Sequence, residues 1–300
     1  MRVLCFGSLN IDYVYQVPRF VGRGETLAAR SLQTFSGGKG LNQSIALARA
    51  GLTTCHAGAV GEDGAFLVDE LRAAGVDTAH VARLREVRTG HAVIQKNAEG
   101  DNCILLYGGA NREITREQID RTLSDFSAGD VLVAQNEISE LGYLLERARA
   151  RGMTIALNPS PMEPYLAKLA PLVDYLLLNE IEAAQLLGCD AGCDPGRMAE
   201  RLHERLSAAA IVLTLGEKGS IYVDGSRMLR QSAVQTDAVD TTAAGDTFTG
   251  YFLAGVLGGH DAAWAMECAS TAAAIAVSRP GAAPSIPMRG EVLGKMSPKA

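Results

Sequence analysis

The chain has 300 residues, 47% hydrophobic and 21% charged, which allows a sizeable buried core and excludes a disordered chain. It carries 28 Lys+Arg against 34 Asp+Glu, net −6, so nothing points to a nucleic-acid or polyanionic membrane partner. A chain of this charge that handles a phosphorylated ligand must build its positive site locally, from backbone amides, a few cations and a metal.

In chain order, the apolar run at 3–6 ends at Gly7 and reads as a first strand. Residues 12–17 alternate apolar and polar, so the stretch from 10 to 35 reads as exposed β-structure. Leu41, Ile45, Leu47 and Ala48 recur at helical spacing in 40–50. A buried strand is expected at 53–60, and then a helix over 64–74 that stops at Gly75. Two strands around the polar turn Asn97-Ala98-Glu99-Gly100-Asp101 make a hairpin of 88–107. From about 116 onward strands and helices alternate, with strands at 131–134, 154–157, 175–178 and 211–214 and helices at 141–151 and 181–187. That is βαβ logic and a mostly parallel sheet. A further Val-rich strand is expected at 234–239, before an apolar helix. The expected architecture is one α/β domain over 1–300, a three-layer sandwich with a small β lid built from about 12–35 and 88–108. No linker, repeat or low-complexity segment divides it.

The opening apolar run is too short for a signal peptide. The apolar stretch 262–277 contains Glu267 and is shorter than a membrane span, so it reads as a buried helix. The six cysteines (5, 55, 103, 189, 193, 268) are scattered, and only Cys189 and Cys193 are close. No zinc pattern surrounds them, so reduced thiols in a cytoplasmic protein are expected. The five histidines (56, 80, 91, 203, 260) form no metal or triad pattern and read as structural or surface residues.

Glycine is over-represented at 32 residues, against a usual share of about 7%. Four motifs stand out. In Ser36-Gly37-Gly38-Lys39-Gly40-Leu41-Asn42-Gln43, glycines before a helix let backbone approach a ligand, or simply turn the chain into the helix. Its spacing is not that of a P-loop. In Asp240-Thr241-Thr242-Ala243-Ala244-Gly245-Asp246-Thr247-Phe248-Thr249-Gly250, a small-residue turn at a helix start can cradle a phosphoryl charge. Asp246 would then accept a proton from a hydroxyl nucleophile, or else cap the helix. Thr214-Leu215-Gly216-Glu217-Lys218-Gly219 reads as a nucleotide loop or a hairpin turn. In Asn179-Glu180-Ile181-Glu182, Glu182 could orient metal-bound water, or the polar strand end could cap the next helix. Asn10 and Asp12 follow the first strand and Glu137 follows another, where open α/β sheets bind ligands.

Together these residues resemble the ribokinase/PfkB family of carbohydrate kinases, with ribokinase-type members nearest in pattern. SGGKGLNQ is similar to the family's N-terminal signature and DTTAAGDTFTG to its C-terminal one. Asn10-Ile11-Asp12, Gly24-Glu25-Thr26, Gly109-Ala110-Asn111, Asn158-Pro159, Asn179 with Glu182, and the 214–219 segment fall in the family's order, so the resemblance spans about 3–287.

The resemblance implies an ATP-dependent kinase acting on a sugar hydroxymethyl group, D-ribose first, with Asp246 as catalytic base. The amides of Ala243, Ala244 and Gly245 would form the anion hole. Asn10, Asp12, Gly38, Lys39, Gly40, Asn42 and Glu137 would hold the sugar. Asn179, the loop Thr214 to Gly219, Gly245 and Ser270 would line the nucleotide, and Glu182 would organise Mg²⁺ through water. A monovalent cation, K⁺, would sit at Asp240, Thr242, Ala276, Arg279, Gly281 and Ser285 and order the anion-hole loop. Many members carry Gly where Ala243 stands, which raises the question of positive φ there; ribokinase-type members carry Ala. Ala92, Ile94 and Ile104 of the hairpin are expected against the sugar's apolar side. The exposed edges of the lid, and family precedent, imply a homodimer through it.

Other readings are a nucleoside, fructose or ketodeoxygluconate kinase, or a non-catalytic sugar sensor that would not need Asp246 and Gly245. A Rossmann dehydrogenase lacks its G-x-G-x-x-G turn after the first strand.

Overall fold

In the computed structural model, which describes residues 1–99, 101–190, 192–206, 209–225 and 227–296, short apolar runs become strands of a large sheet. Gly100 of the expected turn, and 297–300 of the expected domain, lie outside the described residues. The first half contains Val3–Phe6 (β1), Asn10–Gln16 (β2), Ser31–Gly37 (β3), Lys39–Arg49 (α1), Thr54–Gly61 (β4), Ala65–Ala73 (α2) and Asp77–Leu84 (β5). Gly90–Lys96 (β6), Asn102–Tyr107 (β7), Arg116–Leu123 (α3), Val131–Gln135 (β8), Leu141–Ala150 (α4) and Thr154–Asn158 (β9) follow. The second half contains Leu166–Leu169 (α5), Tyr175–Asn179 (β10), Glu180–Leu187 (α6), Pro195–Arg205 (α7) and Ala210–Thr214 (β11). It closes with Ser220–Asp224 (β12), Arg227–Gln231 (β13), Ala244–Leu257 (α8), Ala262–Val277 (α9) and Arg289–Lys295 (α10).

The large sheet has nine strands in the order β13-β12-β11-β10-β9-β8-β1-β4-β5. Pairing is parallel from β11 to β5 and antiparallel at β11–β12 and β12–β13. Successive side chains of a strand point to opposite faces, so β1 feeds two cores. Leu4 and Phe6 join Leu123, Leu144 and Leu202 on one side, while Val3 and Cys5 join Ile45, Phe252 and Ile275 on the other. Helices cover both faces, as buried parallel strands require.

Helix starts follow local chemistry. Thr115 accepts from the Gln118 amide at the head of α3, Asp194 caps α7 ahead of Pro195, and Asp261 accepts from the Trp264 amide at α9.

A second sheet, β3-β2-β6-β7, grows from the C-terminal end of β1, because β2 begins at Asn10. β2 runs parallel to β6 and antiparallel to β3, and β6–β7 is the expected hairpin. The registers Asp12↔Ala92, Ala92↔Leu106 and Ile94↔Ile104 put Asp12, Ala92, Ile94, Ile104 and Leu106 on one face.

Two expectations need correction. Residues 234–239 form no strand; the segment is mostly exposed and pairs with no ladder. The antiparallel edge is instead β13, which carries Arg227 and Arg230. The edge strand β5 carries polar and charged residues and was absent from the expected elements.

Candidate active site

The residues singled out after the strands gather where ligands bind in open α/β sheets, beyond the strands' carboxyl ends. Ser8, Asn10 and Asp12 follow β1, Glu137 follows β8, and Asn179 and Thr214 end β10 and β11.

The helix α8 starts there. Its N-cap, Ala243, has φ 61° and ψ 8°, and no side chain caps the helix. A left-handed Ala costs about 1–2 kcal/mol, and here it makes the turn that leads the chain into α8. The first amides of a helix have no acceptor within it; here the Ala244 amide donates to the Thr241 carbonyl at 3.3 Å, and a Cβ added at Gly245 would meet nothing within 4 Å. Asp246 sits in this first turn and is buried, so it does not cap the helix. Asn42 Nδ2 donates to its Oδ2 at 3.0 Å and Gln43 Nε2 to its Oδ1 at 2.9 Å. Both donors come from α1, which packs on α8 at Gly250, where an added Cβ would lie 2.4 Å from Ala46 Cβ. Asn42 Oδ1 is buried and has no partner.

A second group of charges faces this one. Ser8 Oγ donates to Glu137 Oε2, and the Lys39 amide donates to the same oxygen at 3.2 Å. Burial first, and Glu137 second, push the Asp12 carboxyl up to about 7. Burial pulls the Lys39 ammonium down, but Asp246, Glu137 and Glu182 outweigh it and hold the group above the usual lysine value. Asn10 is buried, and its Oδ1 accepts from Asn111 Nδ2 at 2.7 Å. Gly38 adopts φ 95° close to the Ser8 carbonyl, a conformation that favours glycine. Gly40 is a packing glycine: a Cβ there would lie 2.4 Å from Ser8 N, and its own amide donates to Ser8 Oγ.

On the nucleotide side, Asn179 and Glu182 form a capping box at the head of α6. Glu182 Oε2 accepts from the Asn179 amide at 3.0 Å, which uses one of its two oxygens. Thr214 to Gly219 makes the hairpin turn between β11 and β12, closed by Leu215 N to Gly219 O at 2.8 Å. Ser270 is buried in α9.

Of the cation positions, Asp240, Thr242 and Gly281 meet. Asp240 Oδ1 accepts from Thr242 N and Oγ1, and Oδ2 from Gly281 N at 3.1 Å. Ala276 O accepts from Arg279 N, the Arg279 side chain pairs with Glu291, and Ser285 Oγ donates to Ala282 O. These segments offer a cation oxygen donors only, which suits a hard ion. Among the described residues, no cluster of three or more His, Cys, Asp or Glu could hold a metal. Glu182 keeps one carboxylate oxygen outside its capping box, and Mg²⁺ is commonly held by one or two carboxylates plus phosphates.

Several residues with a clear place in the site had no expected role. Gln43, in the 36–43 motif, and Gln135, which donates to it at 2.7 Å, are two of them. A polar residue ending the apolar run 131–134 was the available signal. Asn111 ties Leu9 and Asn10 to the site, accepting from Leu9 N at 3.0 Å. His56 proves structural: fully buried, it meets Ser44 Oγ at 2.7 Å, and burial drives its pKa down to about 3.

The family model described as pfkB family carbohydrate kinase matches residues 1–289. The ribokinase of Staphylococcus aureus is 35% identical over 299 residues, covering 97% of this chain and 98% of the relative. A solved Arabidopsis thaliana ribokinase complexed with ribose and ATP superposes with TM-score 0.88 at 30% identity, covering 99% of each chain. A Cryptococcus neoformans ribokinase in complex with ADP gives TM-score 0.86 at 32% identity, covering 98% of this chain and 99% of that one. Among the described residues, no helix is long and apolar enough to cross a membrane.

Proposed function

The chain belongs to the pfkB family of carbohydrate kinases, and we propose that it transfers the γ-phosphoryl group of ATP to the hydroxymethyl oxygen of D-ribose. The observation that carries this reading is Asp246, buried in the first turn of α8, at a helix start that no side chain caps, and held by Asn42 and Gln43. The likeness to ribokinases of known structure bound to ribose and ATP or to ADP supports the choice of substrates.

Asp246 accepts the proton as the sugar oxygen forms its bond to the γ-phosphorus. The bond from the γ-phosphorus to the β,γ-bridging oxygen breaks, and ADP leaves. The amides of Ala243, Ala244 and Gly245 face the charge that develops on the phosphoryl oxygens. Asn10, Asp12, Gly38, Lys39, Asn42 and Glu137 hold the sugar hydroxyls; the orphaned Asn42 Oδ1 supports this, since it lacks a donor. Asn179, the turn from Thr214 to Gly219, and Ser270 line the nucleotide.

Glu182, with one oxygen left by its capping box, would help hold Mg²⁺ through water, and the ion would neutralise phosphate charge. Asp240, Thr242, Ala276, Arg279, Gly281 and Ser285 would hold the monovalent cation, K⁺, whose charge would steady the loop leading into α8. Asp240 suits that task because it already joins the segment before α8 to the segment after α9.

We read 1–300 as one domain whose small sheet closes over the sugar, with Ala92 and Ile94 on the face of Asp12. Exposed Phe35, Ile104 and Leu106 on an open sheet support a homodimer through this lid. All six cysteines are free thiols, which supports a cytoplasmic protein.

The test is ATP consumption with ribose, deoxyribose, fructose, ketodeoxygluconate, adenosine, inosine and pseudouridine, each with Mg²⁺ and with K⁺ or Na⁺. Ribose turnover that rises with K⁺ supports the whole reading. Turnover of another acceptor alone rejects ribose, and sugar binding without turnover of any acceptor favours a sensor.

A further inference from the structure

Behind Asp246 lies a directed chain of buried amides. Gln43 and Gln135 are both fully buried. Gln43 Nε2 donates to Asp246 Oδ1 at 2.9 Å, and Gln43 Oε1 accepts from Gln135 Nε2 at 2.7 Å. Gln135 Nε2 also reaches Cys5 Sγ at 3.6 Å, on β1. The chain therefore spans α8, α1, β8 and β1, the two helices and two strands that meet at the site.

The direction of each amide is set. A carboxylate only accepts hydrogen bonds, so Gln43 must present its nitrogen to Asp246. Its oxygen then faces Gln135 and requires a donor. Gln135 supplies its own nitrogen, which turns its oxygen toward Gly7. There Gln135 Oε1 is buried without a partner, 2.1 Å from where a Cβ on Gly7 would lie. An unpaired buried acceptor is costly, and here it is tolerated at the far end of the chain while both Asp246 oxygens are satisfied.

We infer that Gln43 and Gln135 are a positioning relay that fixes the rotation of the Asp246 carboxylate, presenting its remaining lone pairs to the acceptor hydroxyl. This rests on the reading of Asp246 as the base. Neither glutamine touches the substrate: Gln43 acts through Asp246, and Gln135 through Gln43. A carboxylate free to rotate spends less time aligned, and small misplacements of a reacting group are expensive in rate.

The test compares Gln43→Met, Gln135→Met, the double variant and Asp246→Asn in steady-state turnover, with sugar affinity measured by calorimetry on each. Methionine keeps length and volume but cannot donate. Gln43→Met is expected to lower kcat about ten- to hundredfold and to leave sugar Kd within about threefold. Gln135→Met is expected to lower kcat about three- to tenfold with Kd unchanged, and the double variant to lose no more than Gln43→Met, because the two act in series. Losses that add in the double variant, or a kcat for Gln43→Met within about threefold of the parent, overturn the relay. Should Gln43→Met fail to fold, Gln135→Met decides, since it leaves the contacts of Asp246 in place; parental kcat there overturns the relay as well. Near-parental turnover of Asp246→Asn would reject the base itself, whereas a dead Asp246→Asn beside an active Gln43→Met rejects only the relay.

Discussion

Asn42 Nδ2 lies 3.0 Å from Asp246 Oδ2, although 204 positions separate the two residues. The contact joins the head of α1 to the head of α8 and so unites the two glycine-bearing motifs in one site. It depends on how closely the helices cross. An added Cβ on Gly250 would sit 2.4 Å from Ala46 Cβ and 2.9 Å from Leu47 N. Gly250→Val must therefore part the helices, and overpacking of this kind costs about 1–3 kcal/mol. The expected outcome is a lower thermal midpoint together with a kcat loss larger than that of a remote core substitution of equal stability cost.

Ala243 carries the turn into α8 at φ 61°. Glycine there escapes the left-handed penalty, partly offset by about 0.4–1 kcal/mol of extra unfolded-state entropy. Ala243→Gly is expected to be neutral to about 1 kcal/mol stabilising, with turnover retained. Ala243→Val places a β-branched side chain at positive φ and is expected to be destabilising and nearly inactive. Denaturant midpoints and kcat for the pair check this.

Asp12 gives the site a pH dependence. Its carboxyl is raised from 3.8 to about 7 by burial and by Glu137. The ionised form is the better acceptor for sugar hydroxyls, so kcat/KM for the sugar should rise as pH climbs through about 7 and level off above it. Glu137→Gln should move that limb to lower pH, and Asp12→Asn should abolish it. The folded state binds the extra proton between the unfolded and folded pKa values, so this group's contribution to stability falls as pH rises across that window. Asp12→Asn should thus raise the thermal midpoint of the ligand-free protein at pH 8 and leave it nearly unchanged at pH 3.

Much of this architecture was legible in the residues. The strands β8, β10 and β11 are apolar runs that end in a polar residue, β1 is one that stops before Gly7, and the site forms at those ends. Edge strands were harder. Asp77–Leu84 mixes Asp, His and Arg with small residues, since only part of it is covered. Valine content suggested a strand at 234–239, but strand propensity forms no ladder without a neighbouring strand. Asn179 and Glu182 have the spacing of a helix cap and also suit a water-bridged metal; the cap forms. The bond between Gln43 and Gln135 spans 92 positions, and nothing local marks either residue as its half.

The lid carries its own expectation. Leu106 is 49% exposed on the face that also bears Asp12 and Ile104. A charge there opposes apolar association, so Leu106→Glu should shift the protein from dimer to monomer in sedimentation velocity. A parent that sediments as a monomer at all concentrations would exclude the dimer.

The most direct test of the central claim is turnover of Asp246→Asn with ribose and ATP, followed by ³¹P NMR beside the parent. The expected result is ribose 5-phosphate from the parent, a kcat about 10²–10⁴-fold lower in the variant, and sugar affinity within about threefold. Product formation by Asp246→Asn at near-parental rate would contradict the role of Asp246 as the base.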